Sequence, residues 1–275
     1  MHSRPILVAL IVAALCATAS RPVIAGWPRP AGGPSSSGQP EVLFTFDDGP
    51  HETHTASILD TLQKHGVKAI FFWVGQRVGA GKRVDERQEL VHRAVREGHL
   101  VANHTMTHPN LCQLKAAEAA AEIDDNARIY SALSGLPQIL FRTPYGAHCK
   151  RLKRMLAERQ LDHLHWDIDP QEWSDHDAER TAKFIIRHLD RMTDREVVIM
   201  HDTHKVTARA LPKVLDWLAA ENARRKERGD VPPIRILSGS DLVLERLESS
   251  VSSWFMTAAV TRAREMRSTI VRLIP

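Results

Sequence analysis

A chain of 275 residues with 43% hydrophobic content can bury a sizeable core. Its net charge of +4 is spread too diffusely for a nucleic-acid footprint, and no zinc-finger spacing, P-loop or dinucleotide-type glycine pattern supports nucleotide chemistry. No nucleic-acid partner is expected.

His2 and Arg4 precede an apolar run from Ile6 to Ala17, followed by small residues. About 12 apolar residues are too few to span a bilayer and suit a secretory signal over 1–25, which predicts export to the periplasm or beyond. Cys16 is discounted as a lipid anchor, because Leu15 stands where a small residue should precede it. Residues 26–40, rich in Pro, Gly and Ser, read as a flexible leader.

From Val42 to Phe46 the pattern is that of a buried strand, and it stops at Asp47-Asp48-Gly49-Pro50, a turn signal. Adjacent carboxylates repel; the pair is tolerable where a cation takes one and a proton or an arginine manages the other. The ordinary alternative is an Asx-turn with two solvated aspartates. Helices are then expected over 55–64, 86–97, 115–134, 151–159, 178–192 and 211–225. Strands are expected over 68–74, 99–103, 139–142, 162–166, 196–200 and 234–237, with a last helix from 241 to 247. About seven β-then-α units in one domain, 41–247, argue for a parallel barrel or an open wound sheet. Residues 248–275, where Trp254 and Phe255 stand beside several arginines, read as a helical extension packed on the domain, with peripheral membrane contact as the alternative.

Chemistry-bearing residues gather at strand ends. His104-Thr-Met-Thr-His108 follows the third strand, and two imidazoles four apart can face one cation. With 15 histidines in the chain, about one such pair is expected by chance, so the motif needs company. Asp48 supplies it: one Asp and two His leave a fourth position for water, the layout of a catalytic zinc site. Arg142-Thr-Pro-Tyr-Gly146 closes the fourth strand, where Arg142 can pair with a carboxylate and the turn after Pro144 can expose a backbone N–H. Asp167, Asp169, Glu172 and Trp173 close the fifth, and Ile199-Met200-His201-Asp202 the sixth. Singly these have ordinary readings: a surface ion pair for Arg142, a satisfied histidine for His201. Together they fall at the C-terminal ends of parallel strands, the face on which βα architectures build active sites.

The ordered motifs TFDDGP, H-T-x-x-H, R-x-P-Y-G, an acid beside Trp173 and I-x-H make residues 41–247 resemble the polysaccharide deacetylase family, the NodB-homology or carbohydrate esterase family four domain. The resemblance implies a distorted (β/α) barrel of about seven parallel strands. It also implies one divalent metal, usually zinc with Co2+ or Ni2+ as alternatives, and hydrolysis of N- or O-acetyl groups on a glycan. Carried over, Asp47 matches the general base, Asp48, His104 and His108 the metal ligands, and His201 the general acid. Arg142 matches the arginine that orients the base, and Tyr145 the residue whose backbone N–H helps to hold the oxyanion. Trp173, with Pro144 and Ile199, matches the acetyl pocket. Glu172 stands where the family usually has Asp, so the acid that tunes His201 is Glu172 on a longer arm, or else Asp167 or Asp169. Rival readings are an O-acetyl esterase of the xylan type, a metal-dependent peptidase and a non-catalytic glycan-binding module; the glycan itself is not readable. A monomer is expected. Cys112 and Cys149 lie just beyond two site motifs, and in an exported chain they are expected to form a disulfide.

Overall fold

The computed structural model describes Ser35 and residues 37–246. The expected signal peptide, most of the leader and the extension over 248–275 lie outside the described residues. The chain divides into a compact unit, Met1–Ser238, and a second, Gly239–Pro275, of which the described residues 239–246 are helical.

Seven strands of the first unit form one parallel sheet: β1 Glu41–Asp47, β2 Ile70–Trp73, β3 Leu100–Asn103, β4 Leu140–Phe141, β5 Asp162–His163, β6 Arg195–His201 and β7 Arg235–Leu237. The order is β5-β4-β3-β2-β1-β6, with β7 pairing the first half of β1. The sheet curls into a distorted barrel, because the chain beyond β5 crosses to the free edge of β6. There Ile168 bridges Val198, and the Ile199 N–H donates to the Ile168 carbonyl at 3.0 Å.

Strand periodicity decides what faces inward. Val42, Phe44 and Phe46 of β1, Phe71 and Trp73 of β2, and Val198 and Met200 of β6 belong to the apolar cluster shared with the surrounding helices. Their alternates, Thr45 and Asp47, Phe72, Ile199 and His201, therefore face the barrel interior. Helices His54–His65, Val84–Arg96, Ala178–Leu189 and Lys205–Arg228 cover the outside, contributing Ile58, Leu62, Val91, Ile185, Leu211 and Leu215 to that cluster.

Two expected elements differ. The strand over 162–166 pairs only at Asp162–His163, because the carbonyls of Leu164 and His165 turn to the Arg142 guanidinium. The last long helix begins at Lys205, not at 211, and carries Pro212 inside it. Buried Val206, Thr207, Ala210 and Leu211 hold it across the proline, whose missing N–H normally marks a first turn.

Candidate active site

Asp47 ends β1 pointing inward, and Asp48 leaves the strand in the left-handed region at φ 74°. The turn is hydrogen-bonded to β2 on both sides: the Asp48 N–H donates to the Phe72 carbonyl and the Val74 N–H to the Gly49 carbonyl, each at 3.1 Å. Only glycine fits at 49, since a Cβ there would collide with the carboxylate of Asp202.

The loop after β3 brings both histidines to Asp48. Thr105 and His108 have positive φ, which in the β-branched Thr105 is a strained state that persists where hydrogen bonds over-determine it. The Thr105 N–H donates to Asn103 Oδ1 and the His108 N–H to Thr105 Oγ1, both at 2.9 Å. From the helix Ala116–Ser134, Asn126 Nδ2 donates to the Thr105 carbonyl at 2.6 Å and Glu122 accepts from the Thr107 N–H at 2.7 Å. As a result His104 Nε2 lies 3.4 Å, and His108 Nε2 3.1 Å, from Asp48 Oδ1.

Donor atoms of Asp48, His104 and His108 all lie within 4.8 Å of one another. The set fits a divalent cation. Asp48 Oδ1 is buried without a hydrogen bond, and His104 Nδ1 sits 2.8 Å from the Arg142 carbonyl, which leaves Nε2 as the ligand atom. Burial works against the charge of Asp48, yet the two imidazoles hold its carboxyl well below the usual range.

Asp47 belongs to a different network. Arg142 is fully buried; its Nη1 donates to Asp47 Oδ1 and to Thr45 Oγ1, both at 2.7 Å. Its remaining nitrogens reach the carbonyls of Leu164 and His165 at 3.0 Å, and its plane lies 4.2 Å over the Phe72 ring. The other oxygen of Asp47 lies 3.7 Å from His104 Nε2, on the side of the ligand cluster.

His201 pairs directly with Asp47 in the β1–β6 register. Glu172 is buried in the short helix Glu172–Asp175, which begins from Gln171 in the left-handed region. Its Oε1 accepts from the His201 N–H at 2.6 Å and from Thr207 Oγ1 at 3.1 Å, and lies 3.1 Å from His201 Nδ1. Burial disfavours the imidazolium, but the Glu172 hydrogen bond and charge, with Asp47 and Asp48 behind it, push His201 up to about 9. Of the three acids left open by the sequence, Glu172 is the one on His201. Asp167 accepts from the Val197 N–H at 2.8 Å, and Asp169 from the Gln171 N–H at 2.9 Å.

Tyr145 occupies a 3-10 turn, Pro144–Gly146, at φ 60°. Its ring is 72% exposed and 4.8 Å from that of His108. Trp173 is 48% exposed, whereas Ile199 and Pro144 are buried. Cys112 and Cys149 are joined by a disulfide, with Cα atoms 6.0 Å apart. Thr55, Trp73, Glu122 and Asn126 carried no signal of their own in the sequence; Thr55, Trp73 and Asn126 are core positions of their elements and Glu122 a half-buried helix position.

Residues 35–163 match the family described as polysaccharide deacetylase. A chitooligosaccharide deacetylase of Bradyrhizobium sp. (strain ANU 289) is 36% identical over 169 residues, covering 60% of this chain and 72% of that one. The chain belongs to the polysaccharide deacetylase family. Another member, the peptidoglycan-N-acetylmuramic acid deacetylase PdaC of Bacillus subtilis (strain 168), is 33% identical over 181 residues, which are 66% of this chain but 36% of PdaC. The chain thus spans little more than a third of that relative. The solved structure of PdaC superimposes with a TM-score of 0.63 at 26% identity, covering 80% of this chain and 97% of that one. A family 4 carbohydrate esterase from Streptomyces lividans, solved in complex with acetate, gives 0.60 at 30% identity, covering 73% and 92%.

Proposed function

We propose that this family member is a metal-dependent deacetylase that removes acetyl groups from N-acetylated amino sugars of an envelope or extracellular glycan, and that it works after export. The observation that carries the reading is the division between adjacent carboxylates: Asp48 faces two imidazoles, while Asp47 is held by a buried arginine. Relatives named for the deacetylation of peptidoglycan and chitooligosaccharides supply the substrate class.

A divalent cation on Asp48, His104 and His108, zinc by the donor set, would supply a water acidic enough to react at neutral pH and a Lewis acid for the acyl oxygen. Asp47 takes the proton of the attacking water as it adds to the acetyl carbonyl, and Arg142 fixes the direction of the receiving oxygen. The Tyr145 N–H donates to the oxyanion, a contribution of about 3 kcal/mol for one such donor. His201 enters protonated and gives its proton to the departing amine, with Glu172 keeping the imidazolium oriented. Trp173, Ile199 and Pro144 enclose the acetyl methyl group.

Acetate release by zinc-loaded protein from chitooligosaccharides, peptidoglycan and acetylated xylan tests the reading. Release from the amino sugars alone is expected. Release from xylan alone would make the protein an O-acetyl esterase, and zinc binding without release from any glycan would leave a binding module.

A further inference from the structure

We infer that Asp202 is a positioning residue that clamps the Asp47-Asp48-Gly49 turn to the end of β6, and thereby fixes the ligand carboxylate and the register of base against acid. The inference rests on the proposed metal site.

Asp202 follows His201, so strand alternation sends its side chain away from the barrel interior, and it is fully buried there. Two donors converge on one of its oxygens: Thr55 Oγ1 at 2.5 Å and Trp73 Nε1 at 2.9 Å. Its N–H donates to the Asp47 carbonyl at 3.3 Å, and its carboxylate lies where a side chain at residue 49 would have to go. Thr55 extends the grip, since its Oγ1 also accepts from the His51 N–H at 2.8 Å. One residue therefore touches the turn at Asp47, at Gly49 and, through Thr55, at His51. Asp48 lies between the first two, and β1 pairs Asp47 with His201 immediately before the clamp. Burying a carboxyl costs free energy that an apolar residue would spare, so its retention at this point calls for a reason. The turn supplies one: an oxygen acceptor flat enough to lie against Gly49 while holding two donors from β2 and the first helix.

Two readouts besides activity test this: zinc affinity by calorimetry, and amide exchange at Asp48 and Val74 in metal-free protein. In Asp202→Ala, affinity should fall at least about tenfold, as when outer-shell partners of ligands are lost. Exchange at those two amides should rise at least about tenfold, while Leu215 in the helix Lys205–Arg228 keeps its protection. Asp202→Asn retains the acceptor and should stay within about threefold of wild type in both. Folded Asp202→Ala with unchanged affinity and turn exchange overturns the clamp, as does an equal rise at Leu215, which would mark general loosening. A loss in Asp202→Asn as large as in Asp202→Ala overturns it too, because charge rather than hydrogen-bond geometry would then matter. If Asp202→Ala does not fold, Thr55→Val removes one of the two donors to Asp202 together with the acceptor of the His51 N–H; faster exchange at Asp48 and Val74 supports the clamp and none counts against it. Wild-type protein that binds no zinc would sink the metal reading, while the exchange result would still decide the clamp.

Discussion

Asp47 and Asp48 are neighbours in sequence that both approach His104 Nε2, at 3.7 and 3.4 Å, but only Asp47 is held by Arg142 and only Asp48 faces His108, and that division can be measured. Asp47→Asn keeps the geometry of the Arg142 contact but loses the proposed proton acceptor, so turnover should fall by at least about a hundredfold with zinc content unchanged. Asp48→Asn should lose zinc as well, by elemental analysis; identical phenotypes would refute the division. His201 gives a second handle. In the proposed role of general acid it would act only when protonated, and it is held up to about 9, so kcat should be level through neutral pH and fall above about pH 9. Glu172→Gln removes the favourable charge and leaves burial, which disfavours the imidazolium, so the alkaline limb should move down by at least about one pH unit. A limb that stays in place would belong to another group. The sequence brought every one of these residues into view, but it could not choose among Asp167, Asp169 and Glu172. That choice is made by the left-handed Gln171, which starts a helix of four residues, too short for periodicity to reveal.

Elements rather than single residues explain why the ligand loop holds its strained shape. The helix Ala116–Ser134 reaches it from one side through Glu122 and Asn126, and Asn126 Nδ2 also donates to the Trp73 carbonyl at 2.8 Å, tying the ends of β2 and β3 together. From the other side the Cys112–Cys149 disulfide ties it to the helix Lys150–Glu158, where Arg151 Nη2 donates to the carbonyls of Leu111 and Leu114 at 2.8 and 2.6 Å. Closing a loop with a sequence separation of 37 stabilises by about 4 kcal/mol at most on chain entropy. Cys112→Ser with Cys149→Ser should lower the unfolding free energy towards that figure in urea; a loss below about 1 kcal/mol would assign the joint to Arg151 instead. Most elements were legible, because β-branched runs and glycine stops mark them. What escaped were effects of distant side chains on backbone: Arg142 drawing two carbonyls out of the fifth strand, and core packing carrying a helix past Pro212.

At the scale of the first unit, closure of the barrel by Ile168 on β6 makes the parallel strand ends one ring, and Asp48 meets on it the His104 and His108 pair, which lies more than 50 residues further along the chain. Zinc at such a site should stabilise the native state, because the unfolded chain does not hold the three proposed ligands together. With Cys112 and Cys149 oxidised, the unfolded state also lacks their thiolates as competing ligands. Free zinc at a hundredfold excess over its dissociation constant adds about 2.7 kcal/mol, and for a unit of roughly 200 residues that corresponds to a rise in Tm of about 5 to 10 °C. Scanning calorimetry of chelator-stripped and zinc-loaded protein measures it directly. His104→Ala should lower the apo Tm by less than its effect on the zinc increment, which should disappear. A wild-type increment under about 1 °C would argue against zinc held mainly by the native fold, and the same increment in His104→Ala would move the ion to other ligands.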